Sequence, residues 1–179
     1  MNLRRYLVLL VALVALPSWA QSSKFNKYTD NLTRLLETDA LSVMVTGGTF
    51  ETAQTLCKRL GGSLSHNVET EFSAWRERNG AYIRGAAQAL NEFGDLYKAE
   101  GGDSAKQEYL QMLLRASANA ATQRLSLQLK GHSVEGGAPP PESFCFGLAK
   151  WLRDGVSDLE RTPDHIKALR PYIQRPMKK

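Results

Sequence analysis

Nine residues of the chain, Val68, Phe72, Trp75, Asn79, Tyr82, Ala86, Leu90, Phe93 and Tyr97, recur at steps of three and four. That is the period of an α-helix, and it lays a single non-polar face along thirty residues, about 45 Å at 1.5 Å per residue. A face of that length must be covered by other helices. No alternation of strand period appears elsewhere, so the pattern predicts an all-α fold, a bundle of five or six helices with one long or bent central helix. Asn79 is the only amide in the stripe, and Gly80 costs about 1 kcal/mol relative to alanine in a helix interior. The stretch is therefore one bent helix or two helices meeting at Asn79-Gly80.

The flanking segments supply the partners. Phe25, Tyr28, Leu32, Leu35 and Leu36 are helically spaced, whereas Leu41 to Val45 is rich in β-branched residues and suits a short extended piece ending at Gly47-Gly48. Thr49 then reads as an N-cap with Glu51 in the first turn, opening a helix whose inner face is Phe50, Ala53, Leu56, Cys57 and Leu60. Gly61-Gly62 ends it, and Gly101-Gly102 ends the long stripe. Asp103 and Ser104 open the next helix, where Ser104 and Gln107 have capping-box spacing and Leu110, Leu113, Leu114, Ser117, Ala120, Ala121 and Leu125 face inward. Lys130 to Pro141 is the long loop, closed by three prolines that favour a stiff, extended connector. A helix from Glu142 turns Phe144, Cys145, Leu148, Trp151, Leu152, Val156 and Leu159 inward, with Gly147 and Gly155 as points of close approach. Thr162-Pro163-Asp164 starts a last short helix that Pro171 terminates.

The N-terminus constrains the compartment. Arg4 and Arg5 precede eleven consecutive non-polar residues, Tyr6 to Leu16, and Pro17-Ser18-Trp19-Ala20 places small residues for cleavage before Gln21. Eleven such residues are too few for a spanning helix, so residues 1–20 read as a cleavable export signal and residues 21–179 as a single α-helical domain. No later run approaches the length of a membrane span, and no cysteine stands at position 21 to carry a lipid. The expected address is the bacterial periplasm. In that oxidising setting Cys57 and Cys145 are expected to form a disulfide, and their distance apart in sequence excludes a Cys-x-x-Cys redox pair.

Charge is unevenly placed. Residues 21–149 hold 13 Lys and Arg against 14 Asp and Glu, and residues 150–179 hold 8 against 4. The C-terminal thirty residues thus carry the net positive charge and suit an acidic protein, anionic lipid or cell-wall polymer. Nucleic acid is not the expected partner of an exported chain without a recognisable binding module. The three histidines, His66, His132 and His165, are scattered, with no second ligand at metal-motif spacing, and no haem, nucleotide or nucleophile-elbow motif occurs. Neither metal nor cofactor is expected.

Two short strings resemble known families. Glu142-Ser143-Phe144 resembles the Glu-Ser core of lysozyme-like lytic transglycosylases, which would make Glu142 a general acid in cleavage of a wall glycan. Its place at a helix start, after three prolines, favours the carboxylate instead of the acid, and that family's downstream Gly-Leu-Met-Gln string is missing. Trp75-Arg76-Glu77-Arg78-Asn79, with Cys57, resembles uncharacterised exported helical proteins of proteobacteria that carry a Trp-x-x-Arg-Asn helix. The resemblance covers residues 50–100 and implies only a fold. On a structural reading of the string Trp75 is core, Arg76 and Arg78 are surface and Asn79 satisfies a neighbouring backbone group; on a functional one Arg76, Arg78 and Asn79, with His132 in the loop and Lys167 and Arg170 near the C-terminus, make the candidate binding patch. No catalytic constellation converges, so the chain is expected to act without catalysis, by contact with another envelope protein as an accessory, adaptor, inhibitor or immunity protein. A carrier of a small ligand between helices is the alternative. Intact-mass analysis of the exported, non-reduced protein should show an N-terminus at Gln21 and a mass two hydrogens below that of the reduced form; two free thiols would contradict the disulfide.

Overall fold

The structure, a computed structural model, describes residues 31–129, 142–161 and 166–174. Residues 1–30, where the export signal is expected, residues 130–141 with His132 and the expected loop, residues 162–165 with the expected Thr162-Pro163-Asp164 helix start, and residues 175–179 lie outside the described residues. Five α-helices follow in order: α1 (Asn31–Cys57), α2 (Gly62–Arg78), α3 (Gly80–Gln128), α4 (Glu142–Arg153) and the short α5 (Arg170–Ile173). Single 3-10 turns at Lys58–Leu60, Leu159–Arg161 and Lys167–Leu169 connect or extend them. Among the described residues there is no strand, and the architecture is the all-α bundle that the periodicity predicts.

The stripe splits at Asn79, the one residue between α2 and α3 (φ −96°, ψ 7°). Its members Val68, Phe72, Trp75, Asn79, Ala86, Leu90, Phe93 and Tyr97 are all buried, while Tyr82 is half-buried. Hydrogen bonding runs across the junction, from Asn79 N–H to Trp75 O and from Ile83 N–H to Asn79 O. At Gly102 the chain leaves helical geometry altogether (φ 72°, ψ −169°), dividing α3 into two arms, 80–101 and 103–128. A positive φ of this kind is strained for any residue with a Cβ. The arms then pack closely. A Cβ on Gly94 would lie 3.2 Å from Cγ of Lys106, and the Tyr97 and Tyr109 rings are 4.5 Å apart. Lys98–Asp103 and Lys106–Asp95 ion pairs flank the tip.

The extended piece expected at 41–45, and the stop expected at Gly47-Gly48, are both replaced by one continuous helix, α1. Two glycines cost a helix about 2 kcal/mol in propensity, but α1 lies along α3 in the most extensive contact of the fold. Gly48 faces that contact, where a Cβ would sit 3.4 Å from Cβ of Ala121, at van der Waals distance. The threonines fit the helix by turning their hydroxyls onto it: Thr46, Thr49 and Thr52 donate to the carbonyls of Ser42, Val45 and Gly48. Thr49 is thus an interior helical residue and caps nothing.

Three further positions differ from the periodic assignment. Leu114 is 59% exposed, because Leu113, one step round the helix, takes the core position. Leu35 is exposed beside Leu36, which packs inward. Val156 is exposed because α4 stops at Arg153 and Val156 falls in the turn beyond it. A Cβ on Gly147 would meet nothing within 4 Å, so this glycine marks no close approach. Pro171 lies in the first turn of α5 instead of ending the helix, a position where its missing N–H costs nothing.

The core is centred on Trp75, fully buried, with Phe50 edge-on at 4.9 Å and Phe72 stacked at 6.0 Å. Trp151 of α4 meets Phe50 from the other side at 6.0 Å. Cys57 and Cys145 form the expected disulfide (Cα–Cα 5.8 Å), with both residues fully buried. Toward the start of α1, Tyr109 Oη donates to Glu37 Oε1 at 2.8 Å. Burial raises the Glu37 carboxyl above the ordinary glutamate value, partly opposed by that hydrogen bond. A carboxyl with a raised folded pKa binds protons more tightly when folded, so its contribution to stability is present below the unfolded pKa and is lost as pH rises through the folded one. Glu37→Gln keeps an acceptor for Tyr109 and removes the charge. Thermal midpoints measured from pH 4 to pH 8 should fall less steeply for the variant on the alkaline side; parallel curves would show that Glu37 does not titrate with folding.

Candidate functional site

The string 75–79 ends α2, and what it meets is the turn that follows α4. The turn is set by Gly155 (φ +63°), where the last carbonyls of α4 are capped: Asp154 N–H donates to Lys150 O at 2.9 Å and Gly155 N–H to Leu152 O at 3.3 Å. A Cβ at Gly155 would lie 2.7 Å from Oδ2 of Asp158, so glycine serves both the backbone angle and the space. The turn carries Asp158 back against the end of α2.

There Arg78 grips it in a forked pair. Nε donates to Oδ2 at 3.1 Å and Nη2 to Oδ1 at 3.2 Å, while Nη2 also donates to Leu152 O at 2.6 Å. Asn79, 1% exposed, completes the contact from inside. Its Nδ2 donates to Trp75 O at 2.8 Å and Asp158 Oδ1 at 3.2 Å, and its Oδ1 accepts from Leu159 N–H at 2.7 Å. Only one orientation of the amide serves these three partners, two acceptors and one donor. Trp75 Nε1 donates to Ser157 O at 3.2 Å, and Arg153 Nε to Glu71 Oε1 at 2.7 Å. The result is a polar latch joining α2 to the far end of α4. One atom of the turn is not served: Ser157 Oγ is buried with no hydrogen-bond partner.

The latch separates the candidate patch residues. Asn79 faces its own chain in the interior, and Arg78 is half-exposed with its guanidinium committed to Asp158 and Leu152. Arg76 is exposed, its guanidinium 5.9 Å from the centroid of the Phe72 ring. Lys167 and Arg170 are exposed near α5, which packs on α3 where a Cβ on Gly85 would lie 3.3 Å from Ile173. Arg170 and Glu160 both act on Tyr82, one turn beyond Asn79: burial raises its phenol pKa, Glu160 raises it further and Arg170 lowers it. Arg170 is therefore brought to the latch end of the bundle. His132 lies outside the described residues, and Glu142 is exposed at the first residue of α4.

Two features escape the sequence patterns. Asp158 is one, though its spacing from a helix-ending glycine is a usable signal. The other is Phe146, 66% exposed on α4 next to the fully buried Cys145. Between the disulfide at its start and the latch past its end, α4 presents this ring from a helix fixed at both ends. Lys150 and Arg153 are exposed along the same helix. Among the described residues no group of His, Cys, Asp or Glu could hold a metal ion, and no helix is long and apolar enough to cross a membrane. No protein-family model matches the chain, and neither the curated proteins nor the solved structures contain a match to it.

Truncating Asn79 would remove three buried hydrogen bonds, to Trp75 O, Asp158 Oδ1 and Leu159 N–H, and breaking a buried polar network of this kind costs about 1–3 kcal/mol. Asn79→Ala should lower the denaturation midpoint accordingly. Ser157→Ala, which removes a hydroxyl that already lacks a partner, should leave the midpoint unchanged or raise it. Equal losses in the two variants, measured by chemical denaturation, would contradict the latch.

Proposed function

We propose that this chain is an exported binding protein that acts by contact with another envelope protein, as an accessory, adaptor, inhibitor or immunity protein. The observation that supports it best is Phe146. A large aromatic side chain two-thirds exposed to water leaves most of its apolar surface uncovered in the monomer, and Phe, Tyr and Trp are enriched at protein interfaces. Two ties hold the helix that carries it: the disulfide at Cys145 and the Arg78–Asp158 latch. Little conformational entropy would then be lost when a partner closes over the ring. Lys150 and Arg153, exposed on the same helix, would form a charged rim.

Export agrees with the disulfide, which persists in oxidising compartments. The aromatic residues that would line a small-ligand cavity on the carrier alternative, Phe50, Phe72, Trp75, Phe93 and Tyr97, pack into the core. This favours the binding protein over the carrier.

Phe146→Ala removes an exposed ring and should leave the free energy of unfolding within about 0.5 kcal/mol of the parent, as for most surface substitutions. Capture of envelope proteins on the immobilised parent, compared with the variant, should lose one specific partner, with affinity reduced by about 2 kcal/mol or roughly thirtyfold. A partner retained equally by the variant would place the contact surface elsewhere.

A further inference from the structure

Asn79 and Gly80 are the only Asn-Gly pair in the chain. This pair is chemically the most labile peptide sequence toward deamidation, because glycine has no side chain to shield the attacking nitrogen. We propose that Asn79-Gly80 is a deamidation site held shut by the latch, and that opening the latch converts Asn79 irreversibly to aspartate or isoaspartate.

The reaction needs only water. The backbone nitrogen of Gly80, its proton lost to solvent, attacks Cγ of Asn79. A nitrogen–carbon bond closes a five-membered imide, the Cγ–Nδ2 bond breaks, and the nitrogen leaves as ammonia after taking a proton from water. Water then adds to one or the other imide carbonyl and opens the ring, giving an aspartyl or isoaspartyl residue. No electrons are transferred.

Ring closure requires Cγ to swing against the Gly80 nitrogen, and every contact of Asn79 opposes that motion. Nδ2 is tied to Trp75 O at 2.8 Å and Asp158 Oδ1 at 3.2 Å, and Oδ1 to Leu159 N–H at 2.7 Å. The backbone is tied on both sides, Asn79 N–H to Trp75 O at 3.0 Å and Ile83 N–H to Asn79 O at 3.1 Å. At 1% exposure the amide is also closed to water. Hence the rate is set by how often the latch opens locally. Once formed, the product cannot relatch. Aspartate at 79 would still accept from Leu159 but would turn a carboxylate oxygen toward Trp75 O and the Asp158 carboxylate, where Nδ2 now donates. Isoaspartate would also lengthen the backbone by one carbon at the α2–α3 junction.

The test follows deamidation over time in warm, mildly alkaline buffer. Trypsin cleaves after Arg78 and Arg84, so the released peptide 79–84 reports the site directly by mass. The native, disulfide-bonded protein should deamidate more than about tenfold more slowly than the same chain unfolded in urea. Asp158→Ala and the milder Arg78→Lys, which keeps the charge and loses the fork, should both move the rate toward the unfolded one. Arg78→Lys decides if Asp158→Ala does not fold. The product, made directly as Asn79→Asp, should melt at a lower temperature than the parent. A native rate equal to the unfolded rate, a native rate unmoved in Arg78→Lys, or an unchanged melting temperature in Asn79→Asp would each overturn the proposal.

Discussion

The Cys57–Cys145 disulfide is the constraint on which the rest of the arrangement depends. It joins the end of α1 to the first turn of α4 across 88 residues of chain. In the chain-entropy model, closing a loop of that length removes about 4–5 kcal/mol of conformational freedom from the unfolded state, a large share of what a domain of this size has in total. The bond sets where α4 begins, against the Phe50–Trp75 cluster, and leaves its other end to be secured by side chains.

That second task falls to Arg78, Asn79 and Trp75. The three reach the turn after α4 from the end of α2, and their partners there are backbone groups of Leu152, Ser157 and Leu159 and, equally, the carboxylate of Asp158. A turn has backbone groups that no helix satisfies, and a buried one requires side chains to serve them. Pairing with Asp158 lets Arg78 bring a charge to the edge of the core with its counter-ion already in place. The polar string Trp75 to Asn79 is thus consumed largely by folding. The surface it helps to fix, α4 with Phe146, is what remains available to a partner.

The helical period was legible along almost the whole stripe from Val68 to Tyr97, and the inner face Phe50, Ala53, Leu56 and Cys57 was equally plain, because burial of one helical face leaves a repeat that local spacing alone reveals. The Gly47-Gly48 pair misled for the same reason. Local propensity argues for a break there, while the packing of α1 along α3, which offsets it, involves residues far along the chain. That Asn79 serves a backbone group could be read from an amide in an apolar stripe, but which group could not, since its partners Asp158 and Leu159 lie about eighty residues away in a turn with no pattern of its own. Spacing alone left Phe146 off the inward face of its helix, but the extent of its exposure was not legible, because that depends on which distant elements pack beside α4.

The sequence by itself determined the all-α class, the core faces of the helices and the cysteine pair, each of which follows from spacing and composition over short windows. The break at Gly101-Gly102 was legible in the same way, and Gly102 is where α3 divides. Tertiary structure decided the rest: the continuity of α1, the latch and how far Phe146 is exposed. Each of these depends on which distant residues occupy the same space, and a free energy that arises between elements leaves no mark in the spacing within any one of them.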